Sequence, residues 1–231
     1  MQILESSVLG LRAARLTFAS KVSGKTVTLF PMVHIGVPEF YRQVYEDALT
    51  HDAVLVEGLR SPITTRITRS YRWIVGAKRL GLIVQPKLAE TSDMLSSIIH
   101  ADLSHEEFTR EWRRVPFYVR IALYLASPIY GIRQRWFGTV EGLARGHSMD
   151  DVLGRDEALS WTPALGGITG ALLGARDARL IERLSEVLAA PIYEVRNVAV
   201  VYGGAHMRAV ISELTRRRDY IAGDTQWLTV F

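Results

Sequence analysis

The stretch Asn197-Val198-Ala199-Val200-Val201-Tyr202-Gly203-Gly204-Ala205-His206 decides the fold. It reads as a strand to Tyr202, a tight turn at Gly203-Gly204, and a helix from His206 to Arg216. Val27-Thr28-Leu29-Phe30-Pro31-Met32-Val33-His34 follows the same plan, a strand and a short turn carrying a histidine, with a helix after it. In both, the histidine lies four residues beyond an aromatic residue, Phe30 or Tyr202. Two strand–turn–helix units predict an α/β fold, and in open α/β sheets ligands bind beyond the carboxyl ends of the strands. His34 and His206 are expected to converge at that edge.

Working outward, Leu11 to Phe18 and Thr26 to Val33 are apolar, β-rich runs separated by turn residues Lys21 to Lys25, which predicts a hairpin. Pro38 opens a helix to about Thr50, with Phe40, Val44, Ala48 and Leu49 on one face. Ala53-Val54-Leu55-Val56 lacks polar alternation and suits a strand buried on both faces. The first third thus reads β-β-α-β, its last two strands parallel. Residues 61–160 read as a helical insertion started at Ser61-Pro62, with a capping box at Ser104 and Glu107. Pro86, Pro116 and Pro128 are expected to cut it into short helices, and residues 146–151 to form a loop. Leu180, Ile181, Leu184, Val187 and Leu188 make one helical stripe, and Thr225 to Phe231 suits a last strand. With no linker in view, residues 1–231 are expected to form one domain: a mixed sheet with two related His-bearing units, flanked by helices.

The 231 residues are 48% hydrophobic and 23% charged, which excludes disordered and collagen-like classes. The absence of cysteine excludes disulfides, thiolate metal sites and a Cys nucleophile. Twenty-eight basic side chains, only four of them lysine, face 24 acidic ones. No basic run exceeds Arg216-Arg217-Arg218, so nucleic acid is not an expected partner. The N-terminus shows no signal-peptide pattern, and a cytoplasmic location is expected. The apolar stretch from Val115 to Phe137 is interrupted by Arg120, Arg133 and Arg135. It reads as a buried helical hairpin, with contact to a membrane interface as the alternative.

Glu57 completes the candidate site. It follows the strand Ala53 to Val56 directly, where a buried carboxylate needs a partner or a ligand. Two imidazoles and a carboxylate form a usable divalent-metal set, whose open position would acidify a water. The same trio can work as an acid/base set without metal. Gly203 and Gly204 turn the chain, which calls for positive φ, and their free N–H groups before a helix offer an anion site for substrate. Arg176 stands at a helix start, where the dipole disfavours a cation, so it is expected to face an anion. Asp102 and Asp177 read as helix caps, His51 as solvent-facing, His100 and His105 as flanking a helix start, and His147 as a loop residue. Walker, Gly-x-Gly-x-x-Gly and Gly-x-Ser-x-Gly motifs are missing.

These residues, in this order, resemble the TraB/PrgY and Tiki group, and more distantly the erythromycin-esterase and ChaN-like proteins. The family pattern has two Gly-x-x-His motifs, a Glu ending a strand, and an Arg-Asp starting a late helix. Gly203-Gly204-Ala205-His206, Val56-Glu57-Gly58 and Arg176-Asp177 match it. Pro31-Met32-Val33-His34 keeps the histidine but has proline where the family has glycine. The resemblance implies a site of His34, Glu57, Arg176 and His206. Tiki-like members look like divalent-metal-dependent peptidases, TraB/PrgY members are linked to inhibition of peptide pheromones, esterase relatives hydrolyse esters, and ChaN-like relatives bind haem. The expectation is a divalent-metal-dependent, peptidase-like hydrolase of a peptide or small-molecule substrate, with Glu57 as a third metal ligand or as the general base on the bound water. His34, His206 and Glu57 would hold the metal, and Arg176, Gly203 and Gly204 would hold the substrate. A metal-independent esterase and a non-catalytic binding or regulatory protein are the alternatives.

Overall fold

The computed structural model describes residues 2–7, 10–59, 61–88, 98–144 and 173–231. Two antiparallel strands, β1 (Leu4–Ser7) and β2 (Gly10–Ser20), open the chain. Gly10 sits at φ 118°, and a Cβ there would stand 1.9 Å from the Phe231 carbonyl oxygen, so glycine is required twice over. β2 pairs antiparallel with β3 (Thr26–Met32), as the hairpin reading expects, with Leu16 opposite Leu29 and Phe18 opposite Val27. A two-residue strand β4 (Ile35–Gly36) precedes helix α1 (Pro38–Ala48), which buries Phe40, Tyr41, Val44 and Ala48.

β5 (Ala53–Val56) is wholly buried. The insertion brings helices α2 (Pro62–Ile67) and α3 (Arg69–Val75), strand β6 (Ile83–Val84), which pairs with β4, and strand β7 (Ile98–His100). Helices α4 (His105–Arg114) and α5 (Phe117–Phe137) follow, with the Ser104–Glu107 capping box formed. The chain ends in helix α6 (Ala175–Ala189), strand β8 (Asn197–Gly203), helix α7 (Gly204–Arg216) and strand β9 (Tyr220–Thr229), the last paired with β2. Lys25, almost fully buried, donates from Nζ to the carbonyls of Leu188 (2.9 Å) and Ala190, capping the C-terminal end of α6.

The sheet order is β1-β2-β3-β8-β5-β7, with β9 on β2. β3, β8, β5 and β7 are mutually parallel, so their carboxyl ends share one edge. β3 and β5 do run in the same direction, but β8 lies between them. Side chains alternate across the sheet. Val198, Val200 and Tyr202 pack with Leu180, Leu184, Met207 and Val210 of α6 and α7, whereas Ala199 and Val201 pack with Phe40, Tyr41 and Val44 of α1. The result is a mixed α/β sheet covered by helices on both faces.

One element departs from expectation. Residues 117–137 form a single 21-residue helix, not a hairpin, and of that helix only Val119 and Gly131 are buried. Pro128 does not break it. The neighbouring Ser127 hydroxyl donates to the Ile67 carbonyl and lies 3.1 Å from the Ser70 hydroxyl, holding α5 against α2 and α3 at that turn. Among the described residues no single helix is long and apolar enough to cross a membrane; α4 and α5 pass only as a pair bent by 110°. The expected loop at residues 146–151, with His147, and the insertion's end at 145–160 lie outside the described residues.

Candidate functional site

Four parallel strands deliver polar groups to the same edge: β5 ends at Glu57, β7 leads into Asp102, β8 leads into His206, and β3 leads into His34. Facing them, the first turn of α6 supplies Arg176 and Asp177, both buried. The cation that the sequence places against a helix dipole does face anions. Arg176 Nη2 lies 2.5 Å from Glu57 Oε1 and 2.7 Å from Asp102 Oδ2, while its Nε donates to Asp102 Oδ1 at 2.9 Å. The Asp102 contact is bidentate, the geometry for which guanidinium is built. The Arg176 side chain also stacks over Tyr202, 5.5 Å from the ring centre. Among the described residues its Nη1 has no hydrogen-bond partner.

Glu57 uses both oxygens. Oε1 takes Arg176, and Oε2 accepts the Gly203 backbone N–H at 2.9 Å. The anion site foreseen at the start of α7 is thus occupied by the protein's own carboxylate. Burial pushes the Glu57 pKa up, but Arg176, His34 and His206 outweigh it and hold it at about 2. A carboxylate held that low is a poor general base near neutral pH. Burial raises the Tyr202 pKa, so its hydroxyl stays protonated.

His206 and Asp177 form a second pair, Nδ1 to Oδ1 at 2.6 Å, both buried. An ionised carboxylate only accepts, so a neutral His206 carries its proton on Nδ1 and its lone pair on Nε2. The ring meets Tyr202 edge-on at 4.9 Å.

His34 is placed differently. Its side chain is exposed and its ring stacks on Tyr71 at 5.3 Å. The register explains this. Met32, not Pro31, is the partner of Gly203, so His34 lies two residues beyond the paired position and His206 three. The helix after β8 begins at once, whereas β4 intervenes before α1. The two turns are therefore not equivalent. His34 nevertheless acts electrostatically on Glu57.

The trio His34, His206 and Glu57 does not form the expected ligand set. Both Glu57 oxygens are engaged, a guanidinium already holds one of them, and no group of three His, Asp or Glu side chains suited to a metal occurs among the described residues. The glycines are also needed for a different reason than expected, because neither Gly203 nor Gly204 has positive φ. A Cβ on Gly203 would come within 3.1 Å of Glu57 Oε2, and one on Gly204 within 3.1 Å of Leu4 Cδ1. The requirement is close approach. The sequence reading missed Asp102 and Asp177 as site members by taking both for caps. The signal for Asp102 was its place just past a strand, the same place as Glu57. His100 lies beneath Gly58, where a Cβ would come within 2.6 Å of its Nδ1. His51, expected in solvent, instead bridges the Asp47 carbonyl (3.1 Å) and the Thr28 hydroxyl (3.0 Å). No protein-family model, curated protein or solved structure matches the chain.

Proposed function

We propose that the chain is a hydrolase of peptide or ester bonds in which His206, oriented by Asp177, is the acid/base group. The observation that carries the reading is the 2.6 Å Asp177–His206 pair beside the Glu57–Arg176–Asp102 network, at the carboxyl edge of four parallel strands. A carboxylate on Nδ1 aims the Nε2 lone pair, as a base that activates water or a nucleophile requires. Arg176 Nη1, which has no hydrogen-bond partner among the described residues, is the group available to a substrate carboxylate or a developing oxyanion. Glu57, ionised and held by Arg176 and Gly203, positions the guanidinium and does not take the proton. The ordered motifs Gly203-Gly204-Ala205-His206, Val56-Glu57-Gly58 and Arg176-Asp177, which resemble those of the TraB/PrgY and Tiki group, support hydrolysis as the class.

A metal-dependent peptidase is the second reading. The same Asp–His pairing also orients metal-ligating imidazoles, although among the described residues no group of three such ligands occurs. A panel of peptide and ester substrates, assayed with and without chelator, tests both readings. The expected result is chelator-resistant turnover that His206→Ala abolishes and that Asp177→Asn lowers by ~10²–10⁴ through the wrong tautomer. Turnover lost on chelation, with stoichiometric divalent metal in the purified protein, would move the assignment to the second reading. A panel without turnover would support the binding or regulatory alternative.

A further inference from the structure

Most amphipathic helices in a folded protein turn their apolar face inward. Helix α5 (Phe117–Phe137) is apolar on both sides: Val119, Leu123 and Tyr124 pack on the cluster of Phe108 and Trp112, while a second apolar row faces outward. Tyr118, Ile121, Leu125, Ile129, Ile132 and Trp136 recur at helical spacing on one side, and all six are exposed, Leu125, Ile129 and Trp136 by 62%, 67% and 69%. Among the described residues nothing covers this stripe. The inner side is fixed elsewhere, at Gly131 against Ser70 and at Ser127 against Ile67 and Ser70. The outward orientation is therefore set by packing and is not a frayed helix.

Charge says what covers it. Residues 61–88 and 112–137, which carry α2, α3 and α5, contain eleven Lys or Arg and no Asp or Glu. The rest of the chain has seventeen basic and twenty-four acidic side chains. The segments of α2, α3 and α5 in this helical lobe are thus cationic, whereas α4, packed between them, carries Glu106, Glu107 and Glu111. Exposed Arg113 and Arg114 precede the N-terminal end of α5, and exposed Arg133 and Arg135 lie near its C-terminal end. Aromatic residues cluster at both ends of the helix, Phe117 and Tyr118 at one and Tyr130, Trp136 and Phe137 at the other. An exposed aliphatic stripe with aromatics and arginines toward its ends, on a helix that itself has no acidic residue, suits contact with a bilayer interface, although Arg114 at its border is paired with Glu111 of α4 at 2.7 Å. A second copy of the chain would set eleven positive charges against eleven more, which disfavours the self-association that an apolar stripe otherwise invites.

We propose that the outer face of α5 docks this protein onto the surface of an anionic lipid bilayer, with the stripe in the headgroup–acyl boundary and the arginines on lipid phosphates. The helix lies on the membrane and does not span it. The proposal is independent of the hydrolase reading, since no residue of the site lies on α5.

Co-sedimentation with vesicles tests it. The full-length protein is mixed with pure phosphatidylcholine vesicles or with vesicles containing about one-quarter phosphatidylglycerol. The expected result is binding to the anionic vesicles that weakens as salt rises from ~0.1 M to ~0.5 M, with a blue shift of tryptophan fluorescence. Leu125→Glu with Ile129→Glu should lower the partition coefficient by at least ~tenfold. Arg113→Gln with Arg133→Gln should lower it ~severalfold on anionic vesicles only. All four positions are exposed, so unchanged circular dichroism is expected and separates lost docking from lost folding. Three outcomes would overturn the proposal. One is wild-type protein that sediments with neither vesicle. Another is a Leu125→Glu/Ile129→Glu variant that binds as wild type does. The third is a wild-type dimer, without vesicle binding, that this variant converts to monomer, which would make the face a self-association surface.

Discussion

Glu57 is charged where burial opposes charge, and Arg176 is the main reason it stays so. The depressed pKa, about 2 against an ordinary 4.5, makes the carboxylate a source of stability with a defined pH window. A group bound more weakly to its proton when folded contributes fully above its unfolded value, and the contribution disappears as pH falls through the folded one. The window therefore runs from about pH 4.5 down to about pH 2, and the amount at stake is about 3 kcal/mol. Glu57→Gln removes it, so urea denaturation should find the variant less stable than wild type at pH 7, with the gap closing across that window. A gap that holds constant down to pH 2 would show that Glu57 is not the ionised partner of Arg176. Arg176 carries the larger debt, because its guanidinium bonds to both Glu57 and Asp102. Arg176→Met should cost about 3–5 kcal/mol by leaving two buried carboxylates unpaired. Arg176→Lys, which keeps the charge and loses the bidentate fork, should recover part of that loss. If Met and Lys were equivalent at this position, the charge would matter less than the volume.

Strand ends and turns are where pattern reading succeeds and then stops. The hairpin, the buried strand at Ala53–Val56 and the helices after β3 and β8 were legible because period and turn residues are local. That the strand ends carrying Glu57 and the two histidines share one edge was legible too, since parallel strands place their ends together. The order of strands was not, because which strand inserts between two others is decided by packing across the whole sheet. Nor was the one-residue offset of β3 against β8, which leaves His34 exposed and His206 buried. Helix α5 was misjudged for a related reason. An apolar stretch with a proline suggests burial and a break, and nothing local reveals that only one of its two apolar sides is packed. The glycines separate local from non-local demands. Gly10→Ala meets both positive φ and a backbone carbonyl at 1.9 Å, so it should lower stability by more than about 3 kcal/mol. Gly204→Ala meets only the mobile end of Leu4 at 3.1 Å, with no positive φ, and should cost under about 1 kcal/mol. Thermal unfolding of the two variants ranks them, and the reverse order would show that the start of β2 at Gly10 is not pinned by Phe231.

At the scale of the molecule, burial is unevenly shared. Val198 to Tyr202 of β8 are all buried between helices on both faces. Within the helical lobe, α2 buries no residue and α5 only two, and a small cluster of Leu103, Phe108, Trp112, Val115 and Val119 links α4 to its neighbours. Local stability follows buried apolar contact, so the sheet and the lobe should open at different free energies. Native-state hydrogen exchange reads this directly. Amides of β3, β5 and β8 should exchange only through global unfolding, and those of α5 through a cheaper opening that leaves the sheet intact. Gly131→Ala makes the distinction sharper. Its Cβ would lie 2.9 Å from the Ser70 Cβ and 3.0 Å from the Ser70 backbone, which cannot swing aside as a side-chain tip can. The variant should lower the opening free energy of α5 by about 1–3 kcal/mol while leaving the protection of β8 nearly unchanged. Equal losses in α5 and β8 would instead mean that lobe and sheet unfold as one cooperative unit. In that case the lobe would be part of the scaffold that holds Glu57 and Arg176, and a variant on α5 would reach the site through stability alone.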